Sequence, residues 1–329
     1  MRAIQISETG GPEVLRLVEQ PIPQPQPGQV LVKIHAIGLT FADLLLRTGR
    51  YPWMPALPYV PGNEATGYVV NANGSTRLVD GQPVFITSWD MGFAGGLYGE
   101  YVAVKDTAPW PLPNHVDLDE AAALFNYIVA SLLMEHGARG AGTATVLLHG
   151  VSGGMGTALA ELALLAGAEV IGTAGTDDKC AFARTRGVQH TINYKTANVV
   201  EKVLQLTGSR GVDVIYNHIA GNSFIDDMKM LAPLGLIVSY AALGGMPDAD
   251  LFRGMRAEIS RSPAVRVIGT HVFDKLPHLR EAACKSVLAL LAAGKIKPAI
   301  TARLPLQDAA QAHRLMESRE SLGKILLVP

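Results

Sequence analysis

The chain has 329 residues, enough for two domains with ample cores. Its 28 basic and 29 acidic residues nearly cancel, which removes any electrostatic reason to expect nucleic acid or an anionic membrane as the main partner. Apolar residues make up 48% of the chain, yet no uninterrupted run approaches the ~18 residues that span a bilayer. The opening MRAIQISETGGPEVL lacks the apolar stretch of a secretory signal, so a cytoplasmic protein is expected. Cys180 and Cys284 stand alone in sequence, and no disulfide framework or C-x-x-C metal knuckle can be built from them.

Residues 1 to about 120 read as β-rich. The segment PIPQPQPGQ carries four prolines and fits only an extended surface loop. Val30 to Ile37 then alternates as a half-buried strand does. Phe41 to Tyr51 predicts a short helix and a loop. Further short apolar runs at Tyr68–Val70, Pro83–Ile86 and Tyr101–Val104 are separated by turn residues, which suggests a small barrel-like fold. Asp117, Asp119 and Glu120 then open a helix reaching to about residue 135.

The stretch from Thr145 to Lys179 organises the second half. Val146 to Leu148 has strand composition. Gly150, Gly153, Gly154 and Gly156 form a dense turn, and Thr157 to Ala166 reads as a buried helix closed by Gly167. A second apolar run follows at Val170–Ile171. Strand, glycine turn, helix and strand make one βαβ unit. Its turn sits at a helix N-terminus, where free N–H groups and a partial positive charge suit a pyrophosphate. The spacing G-x-x-G-G-x-G departs from the strict G-x-G-x-x-G, so the βαβ context carries the reading.

The second strand selects the nucleotide. An NAD site places an acid about 20 residues past the first glycine, on the ribose hydroxyls. Here Ile171 to Gly175 contains none. Asp177 and Asp178 read as first-turn residues of the next helix, capped by Thr176. Lys179 can meet a 2′-phosphate, so NADPH is favoured over NADH. Strands at Thr191–Tyr194, Val212–Tyr216 and Leu236–Tyr240 alternate with helices, as in a doubly wound parallel sheet. Beyond about 265 come helices at 285–293 and 307–318 and a terminal strand at 324–328. His149 reads as structural and His313 as a surface residue of the last helix. His218, at a strand end, lies within reach of the nicotinamide ribose, and His271 belongs to a cleft or an edge.

These residues resemble the medium-chain dehydrogenase/reductase superfamily, in its zinc-free quinone oxidoreductase branch. The marks are GGPEVL, FADLLLRTGRYP, the run Pro61–Ala65, GVSGGMG, INY at Ile192–Tyr194 and the ending AAQAHRLMESRESLGKILLVP. The resemblance spans essentially the whole chain. It implies an α/β protein: a GroES-like β-barrel catalytic domain over 1–120, completed by 265–329, and a Rossmann NADPH-binding domain over 121–264, with NADPH in the cleft between them. It implies pyrophosphate contacts at Ser152, Gly153, Gly154 and Met155. The 2′-phosphate contacts fall on Gly172, Thr173, Lys179 and Tyr194, with Arg319 as a further cofactor-side cation. Asn126 and Tyr127 are placed near the nicotinamide. Asn217 and Ser239, each ending a strand, complete the cofactor set. Relatives are commonly homodimers joined through a sheet edge.

Zinc is not expected. Where zinc-dependent members of the superfamily carry a G-H-E run, this chain has Gly62-Asn63-Glu64, and no cysteine occurs before residue 180. Asn is a poor zinc ligand and the thiolates are missing. The feasible chemistry is hydride delivery to a polarised acceptor, a quinone or an enone or enal. Hydrogen-bond donors then stabilise the product oxygen. Tyr51 is the first candidate donor and Tyr240 the second, while Asp43 matches a family position near the nicotinamide. Thr40, Leu45 and Val129 stand where relatives often carry Asn, Tyr and Thr, which points to a more apolar pocket. Rival readings are an NADPH-dependent carbonyl or alcohol oxidoreductase, and a low-turnover NADPH-binding protein of the crystallin or RNA-binding type.

Overall fold

A computed structural model describes residues 1–92, 95–138, 144–247 and 250–329. The chain forms two compact units: residues 1–125 with 288–329, and residues 126–287.

The first unit begins with β1 (Arg2–Gln5), β2 (Arg16–Glu19), β3 (Gln29–Gly38), α1 (Phe41–Arg47), β4 (Glu64–Asn71) and β5 (Pro83–Thr87). It continues through α2 (Ser88–Met91), β6 (Tyr101–Lys105), β7 (Trp110–Pro111) and α3 (Leu118–Ala121). The second contains α4 (Phe125–Leu132), β8 (Thr145–Leu148), α5 (Gly154–Leu165), β9 (Glu169–Ala174), α6 (Asp177–Thr185) and β10 (His190–Asn193). It goes on with α7 (Val199–Leu206), β11 (Val212–Asn217), α8 (Ser223–Met230), β12 (Leu231–Ser239), α9 (Leu251–Ala257), β13 (Ala264–Val267) and the start of α10 (Pro277–Ala292). The chain then returns to the first unit as β14 (Ile300–Pro305), α11 (Ala309–Glu317) and β15 (Lys324–Val328).

In the first unit the strands lie in the order β14-β15-β3-β4-β5-β7, with β6 also on β3, and β1 pairs with β2. Only β14 and β15 run parallel; the other pairings are antiparallel. Alternating side chains of β3 (Val30, Val32, Ile34) meet Val69, Ile86, Val104 and Leu327 in one apolar core. Such burial contributes about 1.5–3 kcal/mol per large aliphatic side chain.

In the second unit all six strands are parallel, in the order β10-β9-β8-β11-β12-β13. Counted from β8, this is the doubly wound order 3-2-1-4-5-6, and the direction of winding reverses between β8 and β11. Ligands of such sheets bind beyond the carboxyl ends of the strands at that reversal.

Two expectations change. The sheet unit runs to Val287 rather than 264, because β13 pairs with β12 and α10 begins in the same unit. The single helix expected to 135 is broken: α3 and α4 are separated by Ala122–Leu124, and Leu133–Gly137 winds as a π turn. The break has a local cause. The Phe125 N–H, which a continuous helix would direct to its own backbone, donates to Glu64 Oε2 at 2.8 Å.

Candidate functional site

The turn after β8 is built by close backbone approach. Gly150 has φ +64°, in the left-handed region that glycine enters at no steric cost. A Cβ on Gly156 would lie 2.2 Å from the Gly150 carbonyl oxygen, so no larger residue fits there. The Val151 N–H donates to the Thr173 carbonyl at 3.0 Å, tying the turn to β9. Gly153 is the N-cap of α5, whose first turn bears no acidic side chain. Gly153, Gly154 and Met155 are partly exposed, so this helix start presents its amide groups to an anion. Ser152 is buried beside them.

At the end of β9, two of the expected phosphate contacts are enclosed. Gly172 is buried, and a Cβ there would strike the Val151 side chain at 2.6 Å. Thr173 is buried too, and its hydroxyl shares a 3.2 Å hydrogen bond with His149 Nδ1. Both pack against residues of the turn. The rim lies further on, with Thr176 and Tyr194 exposed and Gly175 and Lys179 half-buried beside them. The Tyr194 side chain is 50% exposed, and its hydroxyl lies 2.6 Å from where a Cβ on Gly175 would stand. Thr176 caps α6 by accepting the Lys179 N–H at 3.3 Å, with Asp177 and Asp178 in the first turn. Lys179 projects from the first turn of that helix. Sequence reasoning missed Gly175; a glycine at the carboxyl end of the second strand was its signal.

Across the winding reversal, Asn217 ends β11 and Ser239 ends β12; both are buried and paired in register. The Asn217 side chain is hydrogen-bonded within the unit. Its amide nitrogen donates to Asp227 Oδ2 at 2.5 Å and to Ser223 Oγ at 2.9 Å, and its oxygen accepts the N–H groups of Ile219 and Ala220. The Tyr240 N–H donates to the Asn217 carbonyl at 3.1 Å, and the Tyr240 ring lies 5.9 Å from His218. Burial pushes the Tyr240 hydroxyl well above its ordinary range, so it stays protonated and able to donate. The Tyr127 hydroxyl is committed to Glu161 Oε2 at 2.5 Å. Asn126 is half-buried in the first turn of α4.

In the first unit, Asp43 is fully buried in α1. One carboxylate oxygen accepts the N–H and hydroxyl of Thr40, each at 2.8 Å. The other accepts Asn63 Nδ2 at 2.7 Å and the Gly62 N–H at 3.2 Å. Burial pushes its carboxyl up, and these hydrogen bonds with the Lys324 charge pull it back. With four donors aimed at it, Asp43 organises the start of α1. The residue expected near the nicotinamide is thus held at the start of α1. The Asn63 oxygen accepts the Ser88 hydroxyl at 2.8 Å, so its amide is spent on internal bonds. Tyr51 is half-buried, with its ring edge-on to Trp53 at 6.1 Å. Arg319, exposed after α11, has φ +58°. Among the described residues no group of three or more His, Cys, Asp or Glu could hold a metal ion.

His313, expected on the surface, is fully buried. Its Nε2 shares a 3.2 Å hydrogen bond with the Tyr98 hydroxyl. Asp227 was missed altogether; it lies on the buried stripe of α8 with Phe224 and Met228, and a carboxylate at that spacing was the available signal.

A doubly wound sheet with a glycine turn at its reversal, together with a separate β-rich unit holding a polar cluster at one helix start, is the composition of a two-domain dehydrogenase. Residues 26–114 match the family model described as an alcohol dehydrogenase GroES-like domain, and residues 186–327 the one described as a zinc-binding dehydrogenase. A quinone oxidoreductase of Rattus norvegicus is 33% identical over 332 residues, covering 100% of this chain and 98% of the relative. The structure of the Escherichia coli quinone oxidoreductase complexed with NADPH matches with a TM-score of 0.88 at 28% identity, over 100% of both chains. A 2-haloacrylate reductase structure matches with a TM-score of 0.81 at 28% identity, over 100% of this chain and 99% of that one. The chain is an oxidoreductase that belongs to the medium-chain dehydrogenase/reductase superfamily, in its zinc-free quinone oxidoreductase branch.

Proposed function

We propose that this protein is a zinc-independent, NADPH-dependent reductase of quinones or activated alkenes. The observation that carries the reading is the glycine turn at the sheet reversal, followed by a second strand whose exposed end offers Lys179 and Tyr194 but no ribose-binding acid before Asp177. The named activities of the rat and bacterial relatives and of the 2-haloacrylate reductase support both acceptor classes.

NADPH, when bound, supplies the hydride. The residues fit it: the α5 start with Gly153, Gly154 and Met155 receives the pyrophosphate, and Lys179, Tyr194 and Gly175 receive the 2′-phosphate. Arg319 adds a second cation. Tyr51 and Tyr240 are the candidate donors to the oxygen that gains charge as the acceptor is reduced; burial keeps the Tyr240 phenol protonated for that task. Asp43 and Asn63 hold the helix start and the Gly62 turn in place. Asn63, in place of a zinc-binding histidine, has its amide engaged on both sides.

We read the protein as a cytoplasmic homodimer. Among the described residues no helix is long and apolar enough to cross a membrane. The outer strand β13 pairs on one side only, and Val267 on it is 78% exposed, as a strand awaiting a partner is.

The test is NADPH oxidation against 1,4-benzoquinone, 9,10-phenanthrenequinone, an enone and an enal, with NADH in parallel. NADPH-preferring turnover of at least one acceptor is expected. Tight binding with no turnover would instead favour the low-turnover reading.

A further inference from the structure

We infer that Asn217 and Asp227 serve cofactor binding without touching the cofactor, by fixing the imidazole of His149 beneath the glycine turn. The inference rests on the NADPH reading above.

His149 directly precedes Gly150, the residue at which the chain enters the turn. Its Nε2 lies 2.8 Å from Asp227 Oδ1 on α8, and its Nδ1 lies 3.2 Å from Thr173 Oγ1 on β9. Its own N–H donates to the Tyr216 carbonyl of β11 at 3.3 Å. The other Asp227 oxygen accepts from Asn217 at the end of β11. One residue is therefore tied to β9 and α8 by its side chain and to β11 by its backbone. These elements flank the winding reversal, where a dinucleotide sits in sheets of this order. All four side chains are buried: Asn217 is 0% exposed, Asp227 and Thr173 1%, and His149 8%.

The direction of each hydrogen bond is dictated by its neighbour. The Asn217 oxygen accepts two backbone N–H groups, at 2.7 Å from Ile219 and 2.8 Å from Ala220. Its NH₂ must then face Asp227, so Asp227 must offer an acceptor there. The second Asp227 oxygen accepts the His149 Nε2–H, and Nδ1 shares its hydrogen bond with the Thr173 hydroxyl. Each member has one orientation that satisfies all the others, and a buried network of this kind specifies one geometry. A Cβ at Gly150 would stand 2.8 Å from His218 Cε1, so a second imidazole packs close on the turn. A binding loop held in its bound shape loses less freedom when the ligand arrives. This explains why Asn217 and Thr173 stand at the cofactor end of the sheet yet turn their polar atoms inward.

The direction rule supplies the test. Asp227→Asn leaves one acceptor for two donors, His149 and Asn217. Asn217→Asp sets two carboxylates against each other. The double variant Asn217→Asp/Asp227→Asn restores one donor for each acceptor, because the amide introduced at 227 accepts from His149 and donates to the carboxylate introduced at 217. The Ser223 hydroxyl turns its proton to that carboxylate. The measurement is the NADPH dissociation constant, from nicotinamide fluorescence, beside the melting temperature of the unliganded protein. Each single variant is expected to weaken NADPH about tenfold to a hundredfold, as leaving a buried donor or acceptor unsatisfied does. The double variant returns to within about threefold of the parent, as restored pairing requires. Thr173→Val, which keeps shape and removes the far hydroxyl, weakens NADPH in the same direction and keeps the test open should a single variant fail to fold. Unchanged dissociation constants with lowered melting temperatures, or a double variant no better than the singles, would overturn the inference while leaving the NADPH reading intact. A parent protein that binds no NADPH would overturn both.

Discussion

Glu64 and Lys324, 260 positions apart in the chain, form an ion pair that is buried on both sides. Glu64 opens β4 and Lys324 opens β15, so the pair fastens the returning C-terminal strand beside the Asn63 cluster. A Cβ on Gly38 would lie 2.7 Å from the Glu64 carboxylate and 2.1 Å from the Ala122 carbonyl, so a glycine there makes room for it. Burial pushes the Glu64 carboxyl up, while Lys324 and the Phe125 N–H pull it back. Removing one partner strands the other charge. Lys324→Met should cost about 3–5 kcal/mol in urea unfolding, and Glu64→Gln/Lys324→Met clearly less than the sum of the two singles. Additive losses would show that the two side chains do not depend on each other.

His313 makes stability depend on pH. Its burial, aided by the Arg47 charge, lowers its pKa from 6.5 to about 3. The unfolded chain takes up a proton there below pH 6.5, and the folded protein only near pH 3. Stability therefore falls as pH falls through that window, by up to about 1.4 kcal/mol per pH unit. His313→Gln removes this contribution. Urea unfolding at pH 7.5, 6 and 5 should show the parent losing stability faster than the variant. Parallel losses would contradict the assignment.

The glycine turn makes a sharper demand. Gly156→Ala places a methyl group 2.2 Å from the Gly150 carbonyl, and neither atom belongs to a flexible side chain. The turn must shift. NADPH binding should weaken at least about tenfold even where the variant remains folded, since the amide groups at the α5 start leave their places. A variant that is folded and binds NADPH as the parent does would show that the ligand lies elsewhere.

Lys179 carries the choice of nucleotide. Lys179→Ala should weaken NADPH about tenfold and leave NADH within about twofold, the difference expected for one partly exposed charge-assisted contact. Equal losses for both cofactors would assign Lys179 a structural role.

How far the sequence was legible follows from the range of each interaction. The βαβ unit, the Thr176 cap and the strand at 30–37 depend on neighbouring residues, so composition and period reveal them. The glycine turn is local in the same sense. The partners of Asp43 are spread from Thr40 to Asn63, and Asn63 in turn is met by Ser88, so only the fold brings them together. The partners of Asp227 were hidden for the same reason: His149 and Asn217 are 78 and 10 residues away. Gly172 and Thr173 show a different limit. A strand end nominates several residues for a ligand, but register decides which ones turn inward, and here the rim begins at Gly175. His313 sits on a helix with one polar face, and the Tyr98 hydroxyl that accommodates it lies 215 residues earlier.

The central claim is metal-free hydride transfer from NADPH to a polarised acceptor. Its most direct test follows NADPH deuterated at the transferring carbon, using enzyme dialysed against a chelator, with an enal and with 9,10-phenanthrenequinone. Retained oxidation of NADPH is expected with at least one acceptor, and any deuterium on the enal product should sit at the β-carbon. Loss of activity that zinc restores, or deuterium at the carbonyl carbon, would contradict the account.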